Sequence, residues 1–241
     1  MAGTAVLGRL TWLTAEVVET VSETPRVRTL VLDVPGWSGH RAGQHVDVRL
    51  TAEDGYQAER SYSVASAPGA APALTVERLD DGEVSPYLVD EVVPGDRFEL
   101  RGPIGGYFVW DPDTADAPLF LVAGGSGVVP LMSMLRHHAA TGSTVPVKLL
   151  YSSRTLADVI YRTELERFDV VHTLTRQQPD GWRGYARRVD ADLLRDVAFP
   201  PSDDPRVFVC GPTSFVEAVA EGLVALGHRP GRIRTERFGG S

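Results

Sequence analysis

Leu119-Phe-Leu-Val-Ala-Gly-Gly-Ser-Gly-Val-Val-Pro130 passes from an unbroken apolar run, through a glycine-rich turn, into a helical pattern. An apolar run without polar alternation reads as a strand buried on both faces. The glycines at 124, 125 and 127 let a backbone approach an anion closely. The helix that opens at Val128 offers unpaired N–H groups and a positive dipole end. Against the dinucleotide pattern G-x-G-x-x-G the match is incomplete, because Pro130 stands at the third glycine. Against the nucleophile elbow G-x-S-x-G it fails, because Val128 stands where glycine is required. A tight strand-to-helix turn with no ligand has the same local look, but the strand–turn–helix context favours a phosphate cradle of Gly124, Gly125, Ser126, Gly127 and Pro130.

Strands and helices alternate outward from that turn. Leu119–Ala123, Val147–Tyr151, Val170–Thr175, Val207–Cys210 and Arg232–Glu236 read as strands. Val128–Ala140, Leu156–Phe168, Asp190–Val197 and Thr213–Leu226 read as helices. Such alternation means a parallel sheet covered on both faces. The earlier half has a different texture. Trp12–Ser22, Arg26–Val34, Gln44–Thr51, Arg60–Ala65, Ala73–Leu79 and Asp96–Arg101 are short β-rich runs separated by Pro/Gly and Asp-Gly turns, with one helical insertion at Val84–Val92. They suggest a small antiparallel barrel. The polar stretch Asp111-Pro-Asp-Thr-Ala-Asp-Ala-Pro118 reads as a boundary, giving a barrel domain over 1–112 and an α/β domain over 113–241.

Composition narrows the function. The 241 residues are 43% hydrophobic and 23% charged, with a net charge of −8, an ordinary globular balance with no basic stripe for nucleic acid. All 24 basic residues except Lys148 are arginines, so an anion here is held by guanidinium forks or backbone N–H groups. The single cysteine, Cys210, excludes an intrachain disulfide and a four-cysteine metal or iron–sulfur site. No run suits a secretory leader or a membrane span, so a reduced, cytoplasmic setting is expected. His137 and His138 are adjacent on a helix and face different ways, and the other four histidines are scattered, so no metal is assigned.

The second strand of the α/β half ends Tyr151-Ser-Ser-Arg154, without the acid that marks an NAD site. Ser153 and Arg154 suit a 2′-phosphate, with Arg162 and Arg176 as further candidates, although an exposed arginine at a strand end is common. In the barrel half, Arg60-Ser-Tyr-Ser63 combines an anion-binding fork, an aromatic ring and two hydroxyls. Alternation places Arg60 and Tyr62 on one face and Ser61 and Ser63 on the other.

Arg60-Ser-Tyr-Ser63, Gly82-Glu-Val-Ser85, Gly102-Pro-Ile-Gly105, Gly124-Gly-Ser-Gly-Val-Val-Pro130, Cys210-Gly-Pro212 and Glu236-Arg-Phe-Gly239 occur in this order. The series resembles the ferredoxin–NADP reductase superfamily over roughly Trp12 to Gly240. The resemblance implies a two-domain fold: an antiparallel Greek-key, flavin-binding β-barrel followed by an α/β parallel-sheet nucleotide domain. It implies FAD, with FMN as the lesser choice. It implies that Arg60 holds the flavin pyrophosphate, Tyr62 packs on the isoalloxazine, and Ser63 bonds near its N5, with Ser61 alongside. Gly82, Val84 and Ser85 would wrap the flavin phosphates. Gly124–Pro130, Gly211 and Pro212 would hold the nicotinamide nucleotide. Cys210 would sit where hydride passes to flavin, and Glu236 and Phe238 would close the site.

The expected activity is hydride transfer from NADPH (or NADH) to bound FAD, with electrons passed to a separate iron–sulfur, haem or other metal protein. A free-flavin, siderophore or quinone reductase, or a flavin-carrying subunit of a larger complex, is the alternative. The lone Cys210 rules out the fused 2Fe–2S domain of many oxygenase reductases. A monomer is expected; the acceptor and pathway are not encoded legibly.

Overall fold

The computed structural model describes residues 10–114 and 117–238. The leader reading at the N-terminus, two residues of the polar boundary, and Gly239 of the last motif lie outside them. The first half forms one six-stranded antiparallel sheet. Its strands are β1 (Leu13–Thr24), β2 (Val27–Asp33), β3 (His45–Thr51), β4 (Gln57–Ser63), β5 (Ala73–Glu77) and β6 (Arg97–Ile104). Their order is β4-β3-β6-β1-β2-β5, so β6 returns to lie between β1 and β3. A bridge between Val64 and Leu74 joins the two edges and curls the sheet into a barrel. Ala15, Val17, Leu30, Leu32, Val46, Val48, Leu74, Val76 and Leu100 fill it from alternate positions of their strands.

The second half is a parallel sheet of β7 (Leu119–Gly124), β8 (Val147–Ser153), β9 (Val170–Leu174), β10 (Arg206–Pro212) and β11 (Ile233–Phe238), ordered β11-β10-β7-β8-β9. Helices α1 (Val128–Ala140), α2 (Arg162–Leu165), α3 (Ala191–Val197) and α4 (Thr213–Ala225) accompany it. Every residue of β7 is buried, which explains its unbroken apolar reading. Leu119, Leu121 and Ala123 face α1, while Phe120 and Val122 face α3 and α4.

The helical insertion read over Val84–Val92 is present over residues 85–91, with Tyr87–Glu91 wound as a π-type turn, and Val84, Leu88 and Val92 plug the barrel. A second expected helix is not formed as read. Leu156–Phe168 breaks into a 3-10 turn, Leu156–Asp158, and the four-residue α2. The Tyr151 hydroxyl accepts the Ile160 N–H at 3.3 Å, and Tyr161 adopts a left-handed φ of 58°. Among the described residues, no helix is long and apolar enough to cross a membrane.

The two halves share a core. Val27, Ala42, Ala65, Ala73, Phe108 and Trp110 from the barrel side pack in one cluster with α1, β7, β8 and β10. Polar links cross the same seam. Arg136, gripped by both oxygens of Glu164 within its own half (2.9 and 2.6 Å), donates across it to Ala65 O at 2.7 Å. The Ser133 hydroxyl donates to Ser66 O at 2.6 Å, and Arg234 to Val109 O at 2.8 Å. His137 and His138 pack on Trp110, one edge-on and one stacked, so their work is structural.

Candidate active site

β7 and β10 are neighbours although two strands separate them in sequence: β8 and β9 extend to one side of β7, β10 and β11 to the other. Ligands of open α/β sheets bind at the carboxyl ends of strands where the order reverses in this way. Gly124 ends β7 at this point, and Cys210-Gly-Pro212 ends β10 beside it. Gly127 has to be glycine, since a Cβ would lie 2.1 Å from the Cys210 carbonyl oxygen. Gly125 has φ +55°, and a Cβ there would meet nothing within 4 Å, so the turn opens onto free space. That open cradle, at the N-terminus of the 13-residue α1, fits a pyrophosphate. Phe215 packs against both Gly124 and Gly211, a role the sequence did not reveal.

A cleft of about 260 Å³ lies where the barrel meets this edge of the sheet. It is lined by His45, Ser61, Ser63, Cys210, Glu236, Arg237 and Phe238. Two strand pairings assemble it. His45 and Ser63 are partners across β3 and β4, and Cys210 and Glu236 are partners across β10 and β11. All four residues expected to act at the reacting centre (Ser63, Cys210, Glu236 and Phe238) therefore meet in one place. His45 was missed; it stands alone in sequence, and only the β3–β4 register brings it opposite Ser63.

The electrostatics follow from burial. Burial pushes the Glu236 carboxyl up to about 7. One of its oxygens lies 3.9 Å from His45 Nδ1, and the other is buried without a hydrogen-bond partner. Burial pulls His45 down, with Asp47 opposing. Burial, reinforced by Glu236, raises Cys210 well above an ordinary thiol, so it is a neutral small side chain rather than a thiolate nucleophile. An unpartnered acid, a histidine and a serine hydroxyl around an open cleft suit a heterocycle with several polar edge atoms, as the flavin ring is.

Other expected site residues are placed differently. Tyr62 is half-buried against the barrel interior, where burial pushes its phenol up to about 12; it does not line the cleft with Ser61 and Ser63. Arg60 is brought to the Gly82–Ser85 turn, but its fork bonds Glu83 at 2.7 Å. Tyr56 donates to the same Glu83, also at 2.7 Å. The Val84 side chain is wholly in the core, so only its backbone is available to a ligand. The Ser85 hydroxyl accepts the Leu79 N–H at 3.1 Å and shapes the turn.

At the other end, Ser153 is 5% exposed on the Tyr151 side of the sheet, which removes its hydroxyl from the surface where a 2′-phosphate would sit. Arg154 is exposed, and its carbonyl accepts the N–H groups of Arg176 (2.9 Å) and Gln177 (3.3 Å), so Arg154 and Arg176 are adjacent. Arg162 instead lines a neighbouring groove with Leu156, Val159, Phe168 and His172. Pro130 is buried within the first turn of α1.

Comparisons with known proteins agree with this architecture. Residues 14–109 match the Oxidoreductase FAD-binding domain and residues 121–221 the Oxidoreductase NAD-binding domain. The chain is 38% identical over 194 residues to ferredoxin–NADP reductase B of Sorangium cellulosum, covering 75% of this chain and 77% of that protein. It is 33% identical over 235 residues to the glycine betaine monooxygenase reductase subunit of Chromohalobacter salexigens, covering 92% of this chain but 63% of that relative, so it spans less than two thirds of that protein's length. The FAD/NAD-binding domain of a nitric oxide dioxygenase from Vibrio cholerae superimposes with a TM-score of 0.84 at 24% identity, over 95% of this chain and 99% of that one. Barrel, switch-point cleft and both domain matches lead to one conclusion: the chain belongs to the ferredoxin–NADP reductase superfamily, as an oxidoreductase with an FAD-binding and an NAD-binding domain.

Proposed function

We propose that this protein takes reducing equivalents from NADPH through bound FAD and delivers them to a separate redox protein. The flavin half would be 1–112 and the nucleotide half 113–241. The observation that carries the reading is the cleft where Ser63 of the barrel faces Cys210 and Glu236 of the sheet, directly beside the glycine turn. When bound, FAD accepts a hydride and releases electrons singly or in pairs. The chain supplies position and charge. Ser63 and His45 address one edge of the cleft, and Cys210 gives a small, neutral wall against which a nicotinamide ring can lie close. Glu236 holds a proton at its buried oxygens near neutral pH. Arg60, once turned from Glu83, neutralises the flavin pyrophosphate. Arg154 and Arg176, whose backbones are hydrogen-bonded to each other, supply the positive end for a 2′-phosphate.

The two relatives above, a ferredoxin–NADP reductase and a monooxygenase reductase subunit, support a protein acceptor with a metal centre. A cytoplasmic setting, where NADPH is available and a lone thiol stays reduced, belongs to the same proposal. Steady-state kinetics with both nucleotides and a ferredoxin or dye acceptor test it. NADPH is expected to win in kcat/KM, and Arg154→Ala to erode the preference roughly 10-fold through KM, the worth of one charged hydrogen bond. Equal or better use of NADH by the wild type would sink the choice of nucleotide.

A further inference from the structure

Tyr161 is a bulky, non-glycine side chain in the left-handed region, fully inside the protein. Residues held in such backbone states persist when their surroundings over-determine them, and they cluster where geometry matters to function. The surroundings here belong largely to the other half of the molecule. The Tyr161 hydroxyl donates to Thr75 Oγ1 on β5 of the barrel. Thr75 Oγ1 is 2.8 Å from Thr29 Oγ1, and the Thr29 hydroxyl donates to Glu23 at 2.7 Å. Each hydroxyl has one proton, so the direction is fixed: Tyr161 to Thr75, Thr75 to Thr29, Thr29 to the carboxylate. Chains of this kind strengthen one another in a buried setting. Burial keeps the phenol of Tyr161 protonated, as its donor role requires. The Arg136 guanidinium lies 4.7 Å over the ring centroid while it grips Glu164 three residues on.

Tyr161 thereby ends a segment pinned at four points. Arg154 is tied to Arg176 and Gln177 through its carbonyl. Thr155 and Asp158 cap each other's turn. Ile160 N–H is held by Tyr151, and Tyr161 by the barrel. The segment carries the two arginines at its ends, Arg154 and Arg162.

We propose that Tyr161 is a positioning residue for nicotinamide-nucleotide binding: its bond to Thr75 lets the flavin barrel fix the Arg154–Arg162 segment that receives the adenosine end of the nucleotide. This rests on the reading of that segment as part of the nucleotide site. The hydroxyl itself touches no ligand. It keeps the segment in its receptive shape before the nucleotide arrives, so its loss is expected in affinity rather than in the rate at saturation.

Tyr161→Phe removes only the hydroxyl. Its KM for the wild type's preferred nucleotide is expected to rise about 5-fold, the worth of one neutral hydrogen bond, with kcat and flavin content unchanged. Thr75→Val should give the same rise from the barrel side, and the double variant no more than either single one. Thr75→Ser, which keeps the acceptor, should restore wild-type KM. An unchanged KM in Tyr161→Phe overturns the proposal. So does a parallel loss of kcat and flavin, which would mark Tyr161 as a mere packing residue. The Arg154→Ala kinetics are a separate arm. If they leave both nucleotides unaffected, the 2′-phosphate reading fails, while the Tyr161 result is still read on whichever nucleotide is used.

Discussion

Burial turns Glu236 from an ordinary carboxylate into a group that titrates near neutrality, at about 7. Its folded value lies above its unfolded one. The folded state therefore binds the extra proton between about pH 4.5 and 7, and stability falls as pH rises through that window and levels off above it. With the side chain 29% exposed, the charged form costs roughly 2 kcal/mol. Glu236→Gln should thus be more stable than the wild type at pH 8 by about that amount, and equal to it near pH 4.5. Urea melts at the two pH values check this; a variant less stable at pH 8 would show that the carboxylate has a partner it needs.

The glycine turn joins β7 to α1 beside the end of β10. Gly125 and Gly127 sit two residues apart and do different work. Gly127 is required by the fold, because any Cβ strikes the main chain of β10 and pushes α1 away from the sheet. Gly125 is left-handed and a Cβ there would meet nothing within 4 Å, so on the proposed reading of the turn as a phosphate cradle its methyl would intrude only on the ligand. Gly127→Ala should therefore cost about 1–3 kcal/mol or more in stability. Gly125→Ala should cost only about 1 kcal/mol for its left-handed φ and show itself mainly as a raised KM for the nucleotide. Denaturant midpoints and kinetics on the two variants separate the roles.

At the scale of the molecule, barrel and sheet behave as one body because the core cluster crosses the seam. The expected consequence is a single unfolding transition, with flavin release and loss of ellipticity coinciding. Arg136→Ala removes a half-buried fork that bonds Glu164 and Ala65 O, leaving both short of a partner. It should lower stability by roughly 2–3 kcal/mol and pull the two signals apart. Coincident transitions in that variant would mean that the apolar contacts alone couple the halves.

Local chemistry determined much of this protein from its sequence. The all-apolar run before Gly124 announced a strand buried on both faces, and alternation in the first half announced a barrel, because side-chain period follows directly from backbone geometry. Ser63, Cys210 and Glu236, singled out through their motifs, line one cleft. Only the tertiary structure decided what depends on register and seam. His45 entered the cleft through its pairing with Ser63. Ser153 was withdrawn from the surface by the packing of β8, and Tyr62 was turned to the core face of β4. The helix expected over Leu156–Phe168 was broken by hydrogen bonds from the Ile160 N–H to Tyr151 and, across the seam, from Tyr161 to Thr75, residues up to 86 positions apart in the chain. Propensity is summed over neighbours in sequence, and those bonds are made between neighbours in space.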